Sequence, residues 1–262
     1  TALTLRQCFG ARIRFPLGAM TIEEQIKLSP HTTFGIGGPA RFFVRVTNIA
    51  ELFEALAFAK KHNRKVFILG GGSNVLVDDE GFDGLVIKIE FAGVELAREG
   101  NAALIVAAAG ESWDAFVART VDENLWGTEN LSGIPGTVGG AVVQNIGAYG
   151  AALSQTLEWG EVLDRESNMI KTLTREVCAF GYRDSIFKQN PGRYVVLHAA
   201  FSLSGVPNPN ISYKDLQEQF KDKTPTIQEI RTAVLGVRNN KFPDLGKEGS
   251  AGSFFKNPVV QA

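Results

Sequence analysis

KVFILGGGSNVLV, residues 65–77, is the stretch on which the fold turns. Lys65–Leu69 is rich in β-branched and aromatic side chains, as a buried strand is, and it breaks at once into Gly70, Gly71 and Gly72. Upstream, Phe42–Val46 reads as another short apolar strand, and Asn48 with Glu51 three residues later resembles a capping box opening a helix. Leu52, Phe53, Leu56 and Ala57 mark one face of that helix, which the pattern ends near His62 and Asn63. The unit is strand, helix, strand, with a glycine turn at its exit.

Downstream, Leu85–Ile89 and Ala103–Ala108 read as further strands. Glu111, Ser112 and Trp113 open a second amphipathic helix, with Trp113, Phe116, Val117 and Val121 at helical spacing, which stops around Asn124. Leu131–Ala152 is rich in glycine, poor in charge and without clear periodicity. Glu161–Asp164, Ile170–Leu173 and Tyr194–Leu203 alternate or run apolar like antiparallel strands, VPNPNI at 206–211 is a turn-rich break, and Thr226–Val237 has a helical pattern. The sum is an α+β protein with two unequal lobes, the smaller ending near Glu90.

The 262 residues, 44% of them hydrophobic, suffice for one large or two ordinary domains. With 27 basic against 28 acidic side chains the net charge is -1, so no whole-protein field draws in nucleic acid or an acidic membrane, and an anion site must be local. Cysteine occurs only as Cys8 and Cys178, which favours a reducing, cytoplasmic setting. No apolar run approaches the roughly 20 residues of a membrane span. Residues 1–19 fail as a secretory signal and read as a leader or a non-native extension, with Met20 a possible start. His31, His62 and His198 lack metal-ligand spacing, and no metal is expected.

Three glycine-rich segments stand out: Gly35–Ala40, Gly70–Leu76 and Gly133–Tyr149. Glycine lets several backbone N–H groups converge on a phosphate, and two such loops facing each other suit a pyrophosphate, although a single loop glycine more often just marks a turn. Gly35, Gly37 and Ala40 formally satisfy G-x-G-x-x-G/A. Their context refuses that reading, because Ser29, Pro30 and His31 precede them and a strand follows, where the dinucleotide fingerprint leaves a strand and opens a helix. A Walker loop is absent from the sequence.

HTTFGIGG at 31–38, ILGGGSNVLV at 68–77, ENLSGIPGTVGGAVVQNIGAYG at 129–150, FGYRDSIFK at 180–188 and GSAGSFFKNPV at 249–259 come in this order. In these segments the chain resembles the UDP-N-acetylenolpyruvoylglucosamine reductases. The resemblance implies a two-subdomain FAD-binding fold of the vanillyl-alcohol-oxidase type, with residues 21–90 and 91–242 as the subdomains and 243–262 as the start of a substrate-binding domain. It implies that Gly70, Gly71, Gly72, Ser73 and Asn74 wrap the pyrophosphate of non-covalent FAD, that Ser132, Gly133, Ile134, Pro135, Gly136, Thr137, Val138, Gly139 and Gly140 approach it from the other side, and that Gln144, Asn145, Gly147 and Tyr149 lie along the flavin.

The reaction it implies is reduction of the enolpyruvyl ether of a UDP-sugar in peptidoglycan synthesis, with NADPH as hydride donor. Arg183 matches the family's enolate-stabilising arginine and Ser253 its proton donor. Tyr182, Tyr213, Arg238, Lys241 and Asn257 match positions for the substrate, its carboxylate or its diphosphate. Taken alone, Arg183 beside Asp184 reads as a solvated ion pair, Ser253 as a turn residue, and Arg238 with Lys241 as a basic helix end. The family's third catalytic residue, a glutamate near its C-terminus, has no counterpart here. Ser253 is therefore expected on an untethered tail, and the chain as given is expected to bind FAD and turn over poorly. The alternatives are a non-catalytic flavin-binding module and a flavin oxidase, the latter disfavoured because the flavin loops carry no His or Cys for a covalent link.

Overall fold

The computed structural model describes residues 20–258, so the expectations for residues 1–19, and for the last four residues of the 243–262 segment, lie outside it. Among the described residues the chain first builds a four-stranded sheet from β1 (Glu23–Lys27), β2 (Pro39–Val46), β3 (Lys65–Leu69) and β4 (Phe82–Ile89), in the order β1-β2-β4-β3. Strands β2 and β3 run parallel to β4 on either side of it, and β1 is antiparallel to β2. Alternation along the strands sorts the two faces: Val44, Val46, Leu85 and Ile87 join the main core beneath helix α1 (Ile49–Lys61), while Phe43 and Val86 face a smaller cluster with Leu28 and Leu69. Asn48 caps α1 by accepting from the Glu51 amide at 3.0 Å. The Glu51 carboxylate reaches back to the Thr47 amide at 2.7 Å rather than to Asn48, so the return half of the expected box lies one residue earlier.

The second sheet is antiparallel and five-stranded. It holds β5 (Val94–Glu99), β6 (Ala102–Ala108), β9 (Leu157–Asp164), β10 (Met169–Thr174) and β11 (Tyr194–Ser204) in the order β10-β9-β11-β6-β5. Between β6 and β9 come helices α2 (Trp113–Asp122) and α3 (Val138–Gln144) and the two-residue strands β7 (Gly147–Ala148) and β8 (Ala151–Ala152). Helices α4 (Ile186–Gln189), α5 (Lys214–Gln219) and α6 (Ile227–Lys241) complete the α-helices among the described residues, beside three short 3-10 turns. Trp113 and Phe116 of α2 pack on Phe201 of β11 with ring centroids 5.8 and 4.8 Å away, and the buried Trp113 indole donates to the Leu131 carbonyl at 2.9 Å. One core cluster joins residues of both sheets, so the sheets meet on apolar contact and not through a linker.

Two edge strands and a helix are among the elements that escape the sequence patterns, as are the short β7, β8, α4 and α5. Strand β1, EEQIK, is a polar edge strand interrupted by a left-handed Gln25 (φ 55°), and β5, VELARE, is an edge strand carrying charge; both lack the apolar run that announces an interior strand. Helix α3, VGGAVVQ, contains two glycines and has poor intrinsic propensity. It forms because Val138, Ala141 and Val142 are buried in the shared core, and because Gly139 lets its backbone press on the second sheet. A Cβ there would stand 2.9 Å from that of Ala109.

Candidate functional site

A cleft of ≈ 1360 Å³ opens between the glycine loop that leaves β3 and the loop that enters α3, larger than the roughly 300–1,000 Å³ of ordinary small-ligand pockets. The two loops touch along their backbones. A Cβ at Gly71 would lie 2.7 Å from Gly136 Cα and one at Gly70 2.6 Å from Thr137 Oγ1, while the Ser73 hydroxyl donates to the Pro135 carbonyl at 3.0 Å. Gly72 is left-handed (φ 64°) and its missing Cβ would fall 2.0 Å from the His31 carbonyl oxygen. Among the described residues, the amides of Gly70, Gly71, Gly72, Ser73, Gly136 and Thr137 donate to no protein acceptor. Unpaired amides lining a cleft are costly unless water or a ligand accepts from them, so this cradle suits an anionic, elongated group such as a dinucleotide pyrophosphate.

The loops are fastened from behind. Asp114 in the first turn of α2 accepts from the Gly133 amide at 2.6 Å and from both terminal nitrogens of Arg231 on α6 at 2.7 and 3.1 Å. Burial works to raise the Asp114 carboxyl; the Arg231 pair and the Gly133 amide outweigh it and hold the group below the usual carboxylate range. On the other side the Thr33 amide donates to the Gly72 carbonyl at 3.1 Å. The third glycine-rich segment, Gly35–Ala40, takes no part in the cleft: Gly37 and Gly38 pack on Val77 and Asp79, with the Gly38 amide donating to the Asp78 carbonyl.

The cleft walls carry Arg183, Lys188 and Arg238 against a single acid, Asp244, so a local cationic field sits in a chain of net charge -1. Arg183 occupies a left-handed position (φ 53°) in a turn closed by Gly181 and Asp184, and its guanidinium donates to the carbonyls of Asn145 and Gly147. Ser253 also lines the cleft, and here an expectation is corrected: its segment is tethered. The Ser250 amide donates to the Thr33 carbonyl at 2.9 Å, the Thr33 hydroxyl donates to the Ser250 carbonyl at 2.6 Å, and the Asn74 carboxamide donates to the Ala251 carbonyl at 2.9 Å. These partners lie far away in sequence, where no local pattern reveals them.

Gly70–Asn74, Gly133–Thr137, Gly139, Gly140, Gln144, Gly147, Arg183, Arg238 and Ser253 thus come together around one cleft. Ser132 and Val138 are buried behind it, the Ser132 hydroxyl donating to the Glu129 carbonyl. The Asn145 side chain is set back as well, its carboxamide spent on the Gly181 carbonyl and the Ser154 amide. Buried Tyr149 packs edge-on against Tyr213 (centroids 5.1 Å), which stacks under the Lys241 ammonium, and Lys241 itself pairs with Asp215. Burial raises the Tyr149 hydroxyl, against the pull of nearby Arg238 and Lys241. Tyr182 and Asn257 are exposed outside the lining, with Tyr182 beneath the Arg183 and Lys256 cations. Sequence reading missed Asp114 and Lys188; their only local signals are an acid in a first helical turn and a lysine three residues after the N-cap Ser185. Among the described residues, no group of three or more His, Cys, Asp or Glu is placed to hold a metal, and no helix is long and apolar enough to cross a membrane.

The family model described as "FAD binding domain" matches residues 40–173. The UDP-N-acetylenolpyruvoylglucosamine reductase of Pseudomonas fluorescens is 38% identical over 248 residues, and that of Pseudomonas putida 40% over 249; each alignment covers 93% of this chain and 73% of the relative. In three dimensions the chain is similar to the UDP-N-acetylenolpyruvylglucosamine reductase of Thermus caldophilus, with a TM-score of 0.70, 29% identity and coverage of 91% of this chain and 76% of that one. It is also similar to cholesterol oxidase from Brevibacterium sterolicum, with a TM-score of 0.55, 15% identity and coverage of 73% and 39%, a likeness of fold alone.

Proposed function

The chain belongs to the UDP-N-acetylenolpyruvoylglucosamine reductase family, and from that premise we propose that it uses FAD and NADPH to reduce the enolpyruvyl ether of UDP-N-acetylglucosamine to the lactyl ether of UDP-N-acetylmuramate. It is a flavin-dependent oxidoreductase of peptidoglycan synthesis, with an α+β fold of the vanillyl-alcohol-oxidase type. The observation that carries the reading is the pair of abutting glycine loops with six unpaired amides in a cationic cleft. These loops would hold the FAD pyrophosphate, with Gln144 and Gly147 beside the flavin. The first sheet (residues 21–90) and the second with its helices (91–242) act as the two FAD-binding subdomains, and the chain from residue 243 starts a substrate-binding part. The reaction belongs in the cytoplasm.

FAD held there would supply hydride-transfer chemistry between NADPH and the terminal carbon of the enol ether. The protein handles the charge and the proton. Negative charge that develops on the neighbouring carbon and its carboxylate is met by Arg183, a planar cation able to pair in two places, held still by the Asn145 and Gly147 carbonyls. Ser253 delivers the proton to that carbon, from a segment that Thr33 and Asn74 hold at the cleft. Arg238 and Lys241 engage the diphosphate, Lys241 by exchanging Asp215 for phosphate oxygens, and Tyr182, Tyr213 and Asn257 contact the sugar nucleotide as the family pattern implies.

The test is an anaerobic titration of the FAD-reconstituted chain with NADPH, followed at the flavin absorbance band, and then addition of the enolpyruvyl substrate. Bleaching by NADPH and recovery with substrate support the reading. Flavin that is bound and reduced but not reoxidised by substrate would leave only the flavin-binding module, and a chain that retains no FAD would overturn both.

A further inference from the structure

Two side chains hold the turn that carries Arg183 from outside: Asn145, whose carboxamide donates to the Gly181 carbonyl at 2.8 Å, and Lys188. Arg183 has a left-handed backbone (φ 53°), a conformation that a residue with a side chain keeps only when its surroundings enforce it. The Gly181 amide donates to the Asp184 carbonyl at 3.0 Å and the Asp184 amide returns a bond to the Gly181 carbonyl at 3.2 Å, which closes the turn without using the Arg183 carbonyl. That carbonyl accepts from the Lys188 ammonium at 2.9 Å, and the same ammonium donates to Gln144 Oε1 at 3.0 Å. Gln144 in turn donates to Asn74 Oδ1 at 3.4 Å, and Asn74 donates to the Ala251 carbonyl at 2.9 Å. One hydrogen-bonded chain therefore runs from the Arg183 turn, through the second subdomain and the first glycine loop, to the segment bearing Ser253.

We propose that Lys188 is a positioning residue: its ammonium fixes the Arg183 turn and, through Gln144 and Asn74, keeps the arginine and the Ser253 segment in register across the cleft. The proposal rests on the reading of Arg183 and Ser253 given above. Two of the three ammonium N–H groups are already committed to protein acceptors, as expected of a tie and not of a charge reserved for a ligand. Both bonds are charge-assisted, which makes them the strong links of the chain. The bond between Gln144 and Asn74 is the long one, so the coupling should fail there first.

The test uses Lys188→Met and Lys188→Arg in the full chain, alone and with Arg183→Ala. In the flavin-free protein, K188M should speed hydrogen exchange of the Gly181 and Asp184 amides by about tenfold, while K188R stays near wild type. In the FAD-loaded protein, K188M should slow reoxidation of NADPH-reduced flavin by substrate by about tenfold, leave FAD and substrate dissociation constants within about twofold, and add no further loss to R183A; K188R should restore the rate. Unchanged exchange in K188M, a raised substrate KM at unchanged rate, or a full additive loss on the R183A background would each overturn the proposal. A wild-type chain that binds flavin but does not turn over counts against the functional reading, while the exchange arm still decides whether Lys188 holds the turn.

Discussion

Gly71 and Arg183 show how little room single positions have. A Cβ at Gly71 meets the Gly136 backbone at 2.7 Å, and a backbone cannot swing aside as a flexible side chain can. Gly71→Ala should therefore part the two loops and weaken FAD binding by about tenfold or more, as seen by titration of flavin fluorescence, because the loop amides no longer converge. At Arg183 the charge matters less than the shape. Arg183→Lys keeps a cation but loses the planar fork that reaches the Asn145 and Gly147 carbonyls, so kcat should fall by about 10²-fold with FAD affinity retained. Stopped-flow reoxidation of the reduced flavin measures the first quantity and equilibrium titration the second. Buried Cys178, whose thiol burial pushes up to about 11, lies outside this chemistry and should resist alkylation in the folded chain near neutral pH.

At the scale of elements, α2 and α6 act as a clamp on the second glycine loop through Asp114. Asp114→Ala removes the acceptor for both the Gly133 amide and Arg231, so the loop should loosen and FAD affinity should fall, with a stability loss visible as a lower Tm. Helix α6 offers a contrast. Gly236 is exposed in its interior and a Cβ there would meet nothing within 4 Å, so Gly236→Ala should stabilise the protein by about 0.4–1 kcal/mol without touching flavin affinity. Such elements divide by legibility. Helix α2 was readable from Ser112, Trp113, Phe116, Val117 and Val121, because one helical face is a local property. Helix α3 was not, since Gly139 and Gly140 argue against a helix and only the packing of Val138 and Val142 overrules them.

For the whole molecule, acid should act through the second sheet. Asp164 is buried at the end of β9 and accepts from Arg193 at 3.2 Å and Lys171 at 2.6 Å, and these partners hold its carboxyl far below the usual range. A depressed folded-state pKa means that its stabilisation is complete above the unfolded value, near pH 3.8, and is lost as pH falls through the lower folded value. Asp164→Asn should thus lower Tm most at neutral pH, with the gap to wild type closing in acid; a gap independent of pH would contradict the assignment. Glu229, held down to about 2 by Lys223 and the Thr226 cap, adds stability with the same sign. Ligand works the other way: FAD at about a hundred times its Kd should stabilise the chain by about 2.7 kcal/mol, readable as a rise in Tm.

The residue patterns by themselves determined the strand, helix, strand unit around Lys65–Leu69, the antiparallel strands of the second half, and the glycine loops, because period-two alternation, helical faces and side-chain-free turns are written locally. Only the tertiary structure decided which loops meet. It excluded Gly35–Ala40 from the cleft, brought Ser73 to Pro135 across 62 positions and Asn74 to Ala251 across 177, and turned an expected loose tail into a tethered one. The reason is physical. Such contacts depend on two sheets first burying a common apolar core, and no spacing within a short segment carries the relative placement of two sheets.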